Sequence, residues 1–192
     1  MTDAVKVEVR RTGRRFDAEA VLDLAADEQT VWDTITDYGA LPSFMPGIRA
    51  CRVIERKAVG KDGERLVVEQ EGEFRFLLFA QDMKVLLNIE HQRLRVADAR
   101  AVSFDLGILK RRAIDVFEGR YEIAPAPSRR GAPRVQLRYT AVIGLRLPPP
   151  PAIGNVAVRH NLAAQLEAVA GEIARRTVAR TPAAGPGRRS SR

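Results

Sequence analysis

The chain has one cysteine, two histidines, one tryptophan and no apolar run near the ~20 residues that a membrane-spanning helix needs. Each shortage excludes something. Cys51 alone cannot close an intramolecular disulfide, which points to a reducing cytoplasm. The N-terminus, MTDAVKVEVRR, has no positive segment followed by an apolar core, so no secretion signal is expected. There is no HExxH, no CxxC and no carboxylate cluster at ligand spacing, so neither a metal nor a cofactor is expected. No glycine-rich phosphate loop and no GxSxG occur. No internal repeat is visible, which argues against solenoids and propellers.

What is present suits one globular domain. The chain has 192 residues, 45% of them hydrophobic and 29% charged. The net charge of +8 favours anionic partners such as membranes, nucleic acid or ribosomes, or it serves solubility alone. Arg188, Arg189 and Arg192 sit in the tail TPAAGPGRRSSR, which has no apolar periodicity and reads as disordered. The expected division is an N-terminal strand and turn (1–15), a folded domain (16–180) and a basic tail (181–192).

Periodicity gives the order of elements. Val5, Val7 and Val9 alternate with charged residues; Phe16, Ala18, Ala20, Leu22 and Leu24 do the same. Asp27 is a helix N-cap candidate, and Val31, Trp32, Ile35 and Tyr38 follow at helical spacing. Gly39, Pro42 and Pro46 stop that helix and leave room only for a very short second one at 40–45. The period then becomes two. Ile48, Ala50, Arg52 and Ile54 form one face, with Cys51 on the other. Asp62-Gly63 marks a hairpin. Strands follow through Leu66–Phe76, Met83–Ile89, Val102–Leu106, Phe117–Ile123 and Val135–Leu145. After the proline break at 148–151, Val158, Leu162, Leu166, Val169 and Ile173 form one helical stripe. His160 falls about 160° from the stripe's centre and should face water. The pattern is an α+β domain: a curved antiparallel sheet of about seven strands around a long C-terminal helix, with two short helices after the first long strand.

This order and several stretches resemble the START-like superfamily with the helix-grip fold, in its polyketide cyclase/dehydrase or coenzyme Q-binding branch. The stretches are VWDTITDYGALPSFMPGI (31–48), CRVIERKAVGKDGERLVVEQEGEF (51–74), FEGRYEIAP (117–125) and LRYTAVIGLRLPPPPAIG (137–154). The resemblance implies an apolar cavity between sheet and helix, with residues 38–48 as a flap at one end. Members use such cavities for lipids, isoprenoid quinones or polyketides, and one bacterial branch associates with ribosomes. The competing reading is that residues 38–48 merely close a core.

Inward positions then become candidate ligand contacts. These are Phe44 in the flap; Arg52, Val68, Gln70, Phe74 and Phe76; Met83, Leu87, Phe104 and Phe117; Tyr121 and Tyr139; and, on the helix, Asn155, Val158, Leu162 and Leu166. Arg52, Gln70, Tyr121, Tyr139 and Asn155 are polar on otherwise apolar faces. Each needs an internal partner, solvent, or a carbonyl or hydroxyl of a bound ring system. Gly72 and Gly119 mark a bend or bulge, or a close approach to the backbone. His91, in HQRLR, reads as a turn residue at a strand end rather than a base. No catalytic set is recognisable, so activity as a cyclase, aromatase or dehydratase stays open beside carriage of a hydrophobic small molecule, as does a ribosome- or protein-associated role of the basic surface. The apolar loop tip Ile108-Leu109 beside Lys110, Arg111 and Arg112 could touch an anionic membrane, giving a cytoplasmic protein peripheral to the inner membrane face. Without interleaved aromatics, sequence-specific nucleic-acid binding is not expected. A cavity of several hundred Å³ with two or three inward polar groups is the expectation that decides for small-molecule binding.

Overall fold

Alternating apolar residues give a sheet with one dry face, and a single amphipathic helix covers it. The computed structural model describes residues 5–76, 79–105, 114–129, 131–146 and 151–180, without the side chains of 74–76, 79–81, 103–105, 129 and 151–153. The strands are β1 (Val7–Thr12), β2 (Arg15–Leu24), β3 (Ile48–Val59), β4 (Gly63–Phe76), β5 (Phe79–Gln92), β6 (Val96–Asp105), β7 (Ile114–Arg129) and β8 (Ala132–Leu145). They form one antiparallel sheet in the order β1-β2-β8-β7-β6-β5-β4-β3. The sheet has eight strands because β1 continues it, in register with β2 from Val7↔Ala20 to Thr12↔Arg15. The helices are α1 (Glu28–Ile35), a single 3-10 turn (Tyr38–Ala40), α2 (Leu41–Phe44) and α3 (Pro151–Arg180).

Helix α3 packs against β1 and β2 at one end of the strand order and against β4 near the other. Both contacts are met only if the sheet curls around the helix, as strongly twisted sheets do. The stripe Val158, Leu162, Leu166, Val169 and Ile173 is buried along its whole length. His160 is exposed. On the sheet, Leu66 and Val68 of β4, Val85, Leu87 and Ile89 of β5, and every second residue of β8 from Val135 to Leu145 are buried.

The ends of the helices are fixed by polar contacts. Asp27 caps α1, accepting from the Thr30 amide at 2.8 Å and the Thr30 hydroxyl at 2.7 Å. The last turns of α3 are tied to α1. Arg176 donates to the Asp33 carbonyl at 3.2 Å and to Asp37 at 3.0 Å; Arg180 donates to Asp33 at 2.7 Å and to Thr30 at 3.0 Å. Glu172 accepts from Arg175 and Arg176, and these bonds hold its carboxyl down at about 2 against the opposing effect of burial.

Two strands differ from their sequence reading. In β3 a register shift between Ile48 and Ala50 inserts one extra residue, so the alternation inverts. Cys51 then faces the core opposite Gln70, and burial pushes its thiol up to about 11. Arg52, expected inside, lies on the outer face opposite Glu69 and pairs with it. A second shift at Val53/Glu55 leaves Ile54 48% exposed. Strand β6 begins earlier than expected, at Val96, and a shift opposite Leu86/Leu87 turns Val102 outward, 56% exposed. Its inner face is Ala97, Ala99 and Ala101.

The two strand glycines have different causes. At Gly72 the backbone of Gly47 passes so close that a Cβ would collide with its carbonyl, which also accepts the Glu73 amide at 2.7 Å. Gly119 sits in unbroken register with Ala99 and Ala141, so it makes no bulge. The expected loop tip from Ile108 to Arg112, Leu106 and the tail 181–192 lie outside the described residues.

Gly72→Ala should lower the unfolding free energy by about 1–3 kcal/mol, because the colliding atom is backbone and cannot swing away. Chemical denaturation checks this, and Gly119→Ala, where only a phenol must yield, should cost less.

Candidate functional site

The helix stripe and the sheet do not meet everywhere. Strands β6 and β7 place Ala97, Ala99 and Gly119 side by side on the inner face, Ala97 opposite Tyr121 and Ala99 opposite Gly119. Small side chains there leave the floor low beneath the middle of α3. The result is a cavity of about 170 Å³. Its roof is Ala157, Val158, Asn161, Leu162, Gln165 and Val169 of α3; its floor comes from β4 to β8. One end is closed by Ile35, Tyr38, Leu41, Met45 and Ile48, from α1 through the segment after α2. The volume falls short of the several hundred Å³ expected from the sequence. It is close to the ~150 Å³ apolar cavity that takes up benzene, so it accommodates one ring. A larger ligand must project through an opening or displace the wall.

Of the candidate contacts, Gln70, Met83, Leu87, Phe117, Tyr121, Tyr139, Val158 and Leu162 line this cavity. Val68 and Leu166 are buried in the packing around it, and Phe44 is partly buried against the same core. Asn155 contributes a buried Oδ1 that meets no hydrogen-bond partner. Arg52 is turned away, as described above. The side chains of Phe74, Phe76 and Phe104 lie outside the described residues.

Polar groups gather on the floor. Tyr121 and Tyr139 are direct neighbours across β7 and β8, with ring centroids 4.6 Å apart. The Tyr139 hydroxyl lies over Gly119, where a Cβ would stand 3.2 Å from it. Burial pushes both phenols well above the usual tyrosine range, so both are neutral donors near pH 7.

Sequence reasoning misplaced His91. It is no turn residue: it is the next inward position of β5 after Ile89 and is buried. The alternation Met83, Val85, Leu87, Ile89 already carried that signal. The His91 Nε2 lies 2.7 Å from the Tyr38 hydroxyl, and Nδ1 lies 3.6 Å from Glu64 Oε2. Trp32 meets its ring edge-on at 5.1 Å, and the Tyr38 ring lies nearly parallel to it at 5.9 Å. Histidine thus tethers the end wall of the cavity to the sheet. Asn161 and Gln165 were also missed; they fall beside the Val158–Leu162 stripe, one step around the helix.

Burial lowers the His91 pKa, more than the Glu64 carboxylate raises it. The unfolded chain takes up a proton near pH 6.5, whereas the folded state resists it until lower pH. Stability from this group is therefore complete above pH 6.5 and falls as pH drops below it. His91→Gln, which keeps an acceptor for Tyr38 without a titrating ring, should flatten the stability profile just below pH 6.5. Urea midpoints across that range test this; an unchanged slope would show that His91 is not the group responsible.

A family model described as polyketide cyclase / dehydrase and lipid transport matches residues 24–180. A search of curated proteins found no match. Among solved structures, a START superfamily protein from Mycobacterium smegmatis superposes with a TM-score of 0.66 at 17% identity, over 84% of this chain and 99% of that one. An aromatase/cyclase from Streptomyces gives 0.59 at 18% identity, over 84% and 95%. A STAR-related lipid transfer protein from Xanthomonas axonopodis gives 0.59 at 16% identity, over 90% and 94%. At these identities the likeness concerns the fold, and it is the START-like helix-grip fold. With more than three quarters of its length matched, the chain belongs to the polyketide cyclase / dehydrase and lipid transport family.

Proposed function

We propose that the protein binds a hydrophobic small molecule in the space between sheet and α3, as a carrier or presenter of that molecule. The observation that carries this reading is the cavity itself: about 170 Å³, walled largely by aliphatic and aromatic side chains, between the sheet and α3. An unfilled apolar space forfeits dispersion contacts and destabilises a fold by several kcal/mol. Filling the floor at Ala99 with a larger residue would remove part of that cost. A ligand recovers it instead.

A cyclase or dehydratase reading draws on the family and on the fold shared with an aromatase/cyclase. The cavity could orient a reactive chain, and its phenols could polarise a carbonyl. Carriage is the reading preferred here, because hydrogen-bond donors and packing suffice for it and no acid–base pair on the cavity wall is required. No described helix is long and apolar enough to cross a membrane, so any lipid contact would be made from the surface.

Gentle purification followed by native mass spectrometry should show a co-purifying apolar molecule. Toluene should bind the emptied protein and shift amide resonances around Leu87, Gly119 and Leu162. Ala99→Leu fills the floor and should weaken toluene binding by about tenfold or more while cooperative unfolding is retained. A clean apo mass together with no toluene uptake would defeat the reading.

A further inference from the structure

Tyr121 and Tyr139 present an unusual pairing within an apolar wall. Both line the cavity, and Tyr139 is 6% exposed. Among the described residues no hydrogen bond is made by either hydroxyl, and neither oxygen is sealed within protein, so both border open space at the cavity wall. A phenol hydroxyl that faces an apolar space without a protein partner forgoes the hydrogen bond it would make in water. Two unpaired phenols on facing positions of adjacent strands are difficult to account for as packing alone. Phenylalanine would fill the same space without that loss.

The glycine beside them bears on the same point. Gly119 stands in regular register and produces no bulge. Its missing side chain leaves room for the Tyr139 hydroxyl, since a Cβ there would lie within 3.2 Å of that oxygen. The backbone is thus cut back where a polar atom, rather than a methyl group, comes to rest.

We infer that Tyr121 and Tyr139 form a two-donor hook for the carbonyl oxygen of a neutral, single-ring ligand head held in this cavity. A carbonyl oxygen has two lone pairs, so it accepts from both phenols at once. An apolar head of the same shape leaves both unsatisfied. The volume limits the buried head to about one substituted ring, with any further chain running out of the cavity. Burial keeps both hydroxyls protonated near neutral pH, so the hook retains its donors.

The inference rests on the cavity reading above, and the test separates the two. Acetophenone and α-methylstyrene have nearly the same shape and differ in a carbonyl oxygen against a methylene. Their affinities are measured by protein-detected NMR on the wild type, Tyr121→Phe, Tyr139→Phe and the double variant, each with its thermal midpoint recorded. The wild type should prefer the ketone by about tenfold. Each single variant should reduce that preference to about threefold, and the double variant should abolish it, with α-methylstyrene binding unchanged throughout. Equal wild-type affinities, or a ketone preference that survives the double variant, would overturn the hook and leave the cavity reading standing. Failure of both molecules to bind the wild type would remove the cavity reading and the hook together.

Discussion

The structure turns on a mismatch between one helix and the sheet that grips it. The apolar stripe of α3 demands burial, and the curled sheet supplies it through β1, β2 and β4. Beneath the middle of the helix the sheet retreats, because Ala97, Ala99 and Gly119 offer almost no side chain. The remaining contacts hold the helix at a fixed height, so it cannot sink into the gap. A cavity is the necessary result of a rigid roof above a lowered floor.

What holds the roof is unevenly distributed. Near its C-terminus, α3 is tied by Arg176 and Arg180 to Asp33, Asp37 and Thr30 of the α1 region. The two ion pairs among them are partly solvated and individually weak, yet they act together with the bonds to the Asp33 carbonyl and the Thr30 hydroxyl. The end wall is tied twice as well, through Tyr38 to His91 and through the Gly47 carbonyl to the Glu73 amide. The wall around residues 38–48 is therefore part of the scaffold rather than a loose cover. The proline-punctuated, aromatic-rich stretch thereby acquires a physical account: Tyr38, Leu41, Met45 and Ile48 close one end of the space.

Much of the fold could be read from periodicity, because each strand has one dry face and the helix has one stripe. The capping aspartate, the short helices and the covering helix all follow from local chemistry at Asp27, Pro42 and the Val158–Ile173 stripe. The errors arose where alternation broke. One bulge residue near Arg49 exchanged Cys51 for Arg52, and another turned Val102 outward. A bulge leaves no composition signal in a single strand, since it depends on the partner's backbone. His91 failed differently: its period was correct, but a polar residue at a strand's end was read as part of a turn. Its partners, Tyr38 and Glu64, come from distant parts of the chain. The cavity was expected from family resemblance, whereas the feature that shapes it, small residues aligned across β6 and β7, depends on register.

The central claim is that the space below α3 is empty of protein and open to an apolar guest. Xenon is the most direct probe, since it enters dry cavities of this size without needing any hydrogen bond. A crystal of the protein pressurised with xenon should show a strong peak between Ala99, Gly119 and Leu162. Absence of any peak there, with side chains from the sheet and α3 meeting across the gap, would contradict the account.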